Sequence, residues 1–147
     1  MKHRSLTESG SERSFILVFE TGDEVVSGLT TFAEEQGITA AHFGAIGAFQ
    51  NATIAFFDLS TKEYEKTEVG EQVEVMSLTG NIALFEGKPK LHAHVVVGKR
   101  DLTAHGGHLV AGNVKPTLEL WLTTFDAAVV RTLDAATNLP LIDLDHQ

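Results

Sequence analysis

Residues 91–97 read Leu91-His92-Ala93-His94-Val95-Val96-Val97, between the turn-forming Gly87-Lys88-Pro89 and the charged Lys99-Arg100-Asp101. In a β-strand successive side chains point to opposite faces. Leu91, Ala93, Val95 and Val97 can therefore be buried on one side while His92 and His94 share the other. The same period extends outward. Glu71–Leu78 alternates, with Val73 and Val75 facing one way, and Gly80–Glu86 continues as a further strand. Downstream, Thr117–Phe125 is another strand, Val129–Leu133 adds a short one, and Thr103–Gly112, with its Gly106-Gly107 pair, reads as a loop.

Upstream, Ser14–Glu20 is a short apolar run that reads as a buried strand. Thr21 and Glu24 have capping-box spacing. Val25, Val26, Leu29, Phe32 and Ala33 then recur at helical spacing, and Gly37 suits the C′ position, so a helix is predicted over about 23–36. Residues 38–48 and 51–59 read as two strands, with a bulge or close backbone approach at Gly44 and Gly47. Lys62–Thr67 reads as an exposed edge. One helix and about seven or eight strands in short-loop succession predict an α+β fold with a largely antiparallel sheet. The predicted boundaries are a mobile N-terminal tail over 1–13, one domain over 14–133, and a C-terminal extension over 134–147.

The 147 residues suffice for one domain with a real core. There is no cysteine, which excludes disulfides, thiolate metal sites, iron–sulfur clusters and a cysteine nucleophile. Acidic residues outnumber basic ones by 20 to 11, a net charge of −9, which disfavours nucleic-acid binding by the domain as a whole. No apolar run approaches a membrane span, and the N-terminal residues lack the apolar region of a secretory signal. A cytoplasmic protein is expected.

Seven histidines remain to be placed. His92 and His94, side by side on one strand face, suit a divalent cation. His108 follows Gly106-Gly107, which permits a sharp turn that would bring its ring back. Three neutral imidazoles with one exchangeable position form an open tetrahedral site. Zinc leads because borderline metals suit imidazole and no sulfur is available; nickel, cobalt, iron and copper suit it too. The rival reading is of strand histidines hydrogen-bonded to neighbours or solvent. His105 is an alternative ligand or an exposed loop residue. His42 reads as a half-buried strand histidine, and His3 and His146 as terminal background. A metal with an open position can polarise a carbonyl or acidify a bound water. Glu119, a carboxylate in the apolar Thr117–Leu122 strand, is then the candidate general base, its alternative a solvent-facing role. Lys99 and Arg100 could hold an anionic substrate or belong to a solvated loop. No phosphate-binding loop, dinucleotide fingerprint or Gly-x-Ser-x-Gly elbow occurs.

LHAHVVVGKRD followed by AHGGHLVAGNVKPTLELWL resembles the plant and prokaryote conserved (PPC) domain, and FGAIGAFQNATIAFFD and VEVMSLTGNIAL resemble its preceding strands. The resemblance runs from about residue 14 to 133. It implies a curved, mainly antiparallel sheet with a flanking helix, similar to the acetolactate decarboxylase fold, assembled as a homotrimer. It also implies a metal on His92, His94 and His108. Prokaryotic members often carry a DNA-binding label through plant relatives that contain AT-hooks. This chain has no AT-hook core, and the relatives' Gly-Arg-Phe-Glu-Ile is here Glu71-Gln72-Val73-Glu74-Val75. The expectation is a homotrimeric metal-binding module with a regulatory role through protein partners. The alternative is a metal-dependent lyase or hydrolase acting on a small carbonyl or carboxylate compound.

Overall fold

A computed structural model describes residues 1–7 and 12–145. His146 and residues 8–11 of the predicted tail lie outside the described residues. The described elements run β1 (Lys2–Thr7), β2 (Ser14–Glu20), α1 (Val25–Glu35), β3 (Ala40–Asp58), β4 (Glu63–Val69), β5 (Val73–Phe85), β6 (Lys88–Gly98), β7 (Ala104–Thr124), β8 (Val130–Leu133) and β9 (Pro140–Asp143).

All nine strands join one sheet, antiparallel except where β8 runs parallel to the end of β5. The path is β1-β2-β7-β3-β5-β8-β9, with β4 on β3 and β6 bridging β5 and β7. Thus β3, β5, β6 and β7 pair in a closed circuit, and the sheet curls around its own apolar face. Phe19, Phe43, Phe49, Leu118 and Leu120 fill the interior at no more than 1% exposure. Leu29, Phe32 and Ala33 of α1 join the same core. This is the mostly-β, single-helix architecture expected of the sequence.

The helix is capped differently from the expectation. Glu24, not Thr21, is the N-cap; its carboxylate accepts from Val26 N at 3.0 Å and Ser27 N at 2.7 Å. It also accepts from Gly112 N at 3.0 Å, tying the helix start to β7. These donors outweigh the cost of its burial and hold its pKa below the ordinary carboxylate value. Thr21 Oγ1 instead donates to the Pro116 carbonyl. Gly37 closes the helix at φ +61, as its C′ position requires.

Two boundaries are redrawn by long strands. The stretches 38–48 and 51–59 form one strand, β3, because bulges near Gly47 and Phe49 bend it without breaking it. Residues 104–112, expected to be a loop, are the first half of β7. Their glycines serve contact rather than turning. A Cβ at Gly107 would lie 2.6 Å from the Ala55 carbonyl oxygen, and one at Gly112 would lie 2.7 Å from the Phe49 ring. The expected mobile tail is also corrected: Lys2–Thr7 is β1, laid antiparallel on the outer edge of β2. Polar residues suit this place, since an edge strand needs its backbone groups paired and its side chains wet. The C-terminal extension docks, β9 pairing with β8.

Candidate metal centre

His92 and His94 come from β6, and His108 from β7, where His94 and His108 are direct cross-strand partners. His108 also pairs with Ala55 of β3, so its backbone is held on both sides. Ala93, Val95 and Val97 are buried beneath the two β6 histidines, as the alternation requires. The ring centroids lie 5.1 Å (His92–His94), 5.4 Å (His92–His108) and 5.6 Å (His94–His108) apart. One ligand nitrogen from each lies within 4.8 Å of the others, close enough to share one ion.

The electrostatics fit a cation. Burial, then the charge of Arg131 and of His94, hold the His92 pKa below the ordinary imidazole value. Burial, then His92, His94 and Lys90, push His108 down to about 4. Both rings are therefore neutral near pH 7, with lone pairs free. The Nδ1 of His108 is buried without a hydrogen-bond partner. An orphaned imidazole nitrogen in a ring grouped with two more imidazoles is a donor that a divalent ion could satisfy. Tyr64 of β4 packs on the His108 ring at 4.8 Å, and burial raises its phenol pKa.

The low His108 pKa carries a linkage consequence for metal-free protein. The unfolded imidazole, near pKa 6.5, takes up its proton before the folded one does as pH falls. The resulting stability is fully present above pH 6.5 and is lost between there and about pH 4. Urea midpoints of metal-free protein should fall across that window, and His108→Gln should flatten the fall; equal slopes would refute the assignment.

His92 and His108 also line a cavity of about 350 Å³. It is also lined by Tyr64, Lys66 and Lys90, and by Arg131 of β8 with Leu139–Leu141. The Arg131 guanidinium donates to the Pro140 carbonyl at 2.9 Å and to Asn81 Oδ1 at 2.5 Å, while its Nε is buried without a partner. Asn81 is the cross-strand neighbour of His92, so Arg131 is anchored beside the triad.

The other sequence candidates lie elsewhere. Glu119 is exposed on the opposite half of β7, paired with Val18 and Ile46. It stands eleven positions further along β7 than His108 and is not among the residues lining the histidine cavity. His42 is exposed rather than half-buried, stacking on Phe125 at 5.9 Å, because Ala41 and Phe43 take the inward positions on β3. His105 is exposed on β7 opposite Val97 and outside the triad. Lys99 is paired with Glu71 at 2.6 Å. Sequence reasoning passed over Arg131, though one cation inside Val129-Val130-Arg131-Thr132-Leu133 is a signal that it must be buried or edge-placed.

A curved β-sheet carrying three convergent imidazoles over a basic cavity defines a small domain able to bind a metal. Residues 6–126 match the Plants and Prokaryotes Conserved (PCC) domain, and the chain belongs to that family. It is similar to a putative DNA-binding protein from Bacteroides thetaiotaomicron, with 28% identity, 98% and 99% of the two chains covered and a TM-score of 0.89. It is also similar to a metal-containing protein from Archaeoglobus fulgidus, with 37% identity, 97% and 99% covered and a TM-score of 0.83. A Staphylococcus aureus protein described as similar to alpha-acetolactate decarboxylase shares the fold at 12% identity and TM-score 0.56, with 76% of this chain and 52% of that one covered. No curated protein matches the chain. No helix among the described residues is long and apolar enough to cross a membrane.

Proposed function

We propose that this protein is a homotrimeric metal-binding module whose His92, His94 and His108 hold one zinc ion per subunit. The observation that carries the reading is the convergence of three ligand nitrogens within 4.8 Å, with the His108 Nδ1 buried and otherwise unpaired. When bound, such an ion supplies a Lewis acid with an exchangeable position. The chain's own residues hold the imidazoles neutral and aim them. The metal-containing description of the Archaeoglobus fulgidus protein supports the same reading. Protein purified without an affinity tag should hold close to one equivalent of zinc by elemental analysis. Less than a tenth of an equivalent of any transition metal, with no uptake on titration, would remove the site.

The trimer is what the family resemblance implies, and the outer face of the sheet offers an interface for it. Ile46, Met76 and Trp121 are each at least 61% exposed. Trp121 is paired with Gly44, two residues from Ile46 on β3, and Ile16 lies beside it on β2. A contiguous apolar patch of this kind marks an interaction surface. Light scattering should give three copies of the 15.9 kDa chain, about 48 kDa, and Trp121→Glu should reduce that mass to a monomer's. A monomeric wild-type protein would refute the assembly. The acidic net charge of −9 argues against DNA as the partner. A regulatory role then runs through protein or small-molecule partners. The enzyme alternative keeps the open metal position, with Glu119 outside the lining of the histidine cavity.

A further inference from the structure

The histidine cavity has a charge pattern opposite to that of the whole protein. The chain has 20 acidic and 11 basic side chains. Yet Lys66, Lys90 and Arg131 line the cavity, and no carboxylate does. Arg131 is 6% exposed, and no acidic group pairs with it among the described residues. A buried guanidinium satisfied only by neutral acceptors, with its Nε orphaned, is costly to maintain. That cost is offset when an anion supplies the missing counter-charge. The remaining walls are apolar: Val26, Leu91, Leu109 and the Leu139–Leu141 segment. A site of about 350 Å³ lies at the small end of the range for small-molecule pockets.

We propose that this cavity binds a small organic dicarboxylate, one carboxylate on Arg131 and the other among Lys66, Lys90 and the triad, with its carbon skeleton against the leucines. The planar guanidinium suits a carboxylate, and the apolar wall suits a carbon chain better than a fully hydrated phosphate. The proposal deepens the metal-site reading and rests on it for the placement of the ligand beside the ion.

The test is calorimetric titration of the full-length, zinc-loaded protein with malonate, succinate and glutarate. Dimethyl glutarate and inorganic phosphate serve as comparison arms. At least one dicarboxylate should bind saturably at one per chain, and the uncharged diester should not. Arg131→Gln should weaken binding by about tenfold or more, the loss expected of one charge-assisted pair, with zinc uptake retained. Should that variant fail to fold, Lys90→Gln, an exposed position, should weaken binding about threefold while raising its sensitivity to the other charges. Full zinc uptake with no dicarboxylate binding overturns the anion site and leaves the metal reading intact. Arg131-dependent dicarboxylate binding without zinc uptake does the reverse. Phosphate binding as tightly as the best dicarboxylate overturns the assignment of ligand class.

Discussion

His92→Ala should abolish stoichiometric metal uptake while the protein remains folded. His92 is one of three convergent donors, and removing it leaves two imidazoles and a wider opening. Losing only the hydrogen-bond partner of a ligand costs metal affinity about 10–100-fold, so losing a ligand should cost more than about a hundredfold. The fold should survive because the imidazole lies over the sheet and not in its core. Its strand is held by Ala93, Val95 and Val97 underneath and by β5 along its whole length. Removing the ring also relieves His108 of a neighbouring charge, so the metal-free variant should tolerate acid no worse than the wild type. Elemental analysis and a zinc-competition titration give the first result; circular dichroism and a thermal melt give the second. A variant that unfolds would make the histidine a structural residue and sink the metal assignment.

Phe43→Ala should be the most damaging single core change on this side of the sheet. Phe43 is 1% exposed on β3, paired with Gly80 on one side and Leu122 on the other. Its ring occupies the place a side chain at position 80 would need: a Cβ there would collide with the Phe43 ring and with the His92 carbonyl oxygen. Gly80 is thus glycine so that a phenylalanine can pack against the strand bearing the ligands. Truncating the ring opens a cavity that backbone cannot refill, a loss of about 3–5 kcal/mol, against a total of about 5–15 kcal/mol for a typical domain. Because Gly80 is opposite Ala93, between the two β6 histidines, zinc affinity should fall as well, though less than in His92→Ala. A denaturant-unfolding loss below about 1 kcal/mol would show that the site collapses freely and that Phe43 does not support β6.

How far the site could be read in advance depended on where each residue's partner lies. Alternation placed β2 and β6 correctly, and with β6 the pair His92 and His94, because the period of a strand is visible within the strand itself. His108 was legible as a candidate ligand but its setting was not. Gly106-Gly107 looks like a turn from along the chain; it is in fact where the β3 and β6 backbones press on β7, and those neighbours are distant in sequence. β1 lacks any apolar pattern, since its role is to pair the edge of β2. That Glu119 lies outside the cavity lining was hidden for a related reason. Period two reports which face a side chain takes but not how far along a 21-residue strand it stands. The aromatics Phe43, Phe49, Phe56 and Phe57 are equally suited to core or interface by type; the first two are buried and Phe56 is 70% exposed, a division that simple alternation misses because bulges shift it along β3.

The β8–β9 ribbon has a consequence for how such a site can diversify. All three imidazoles fall within residues 6–126, the span that matches the family, whereas Arg131 and Leu139–Leu141 lie after it, on a short appendage joined to the sheet through the end of β5. The three imidazoles and the Arg131 wall of the cavity are therefore separate pieces of chain. Descent could replace or re-tailor the second while leaving the histidine cluster unaltered.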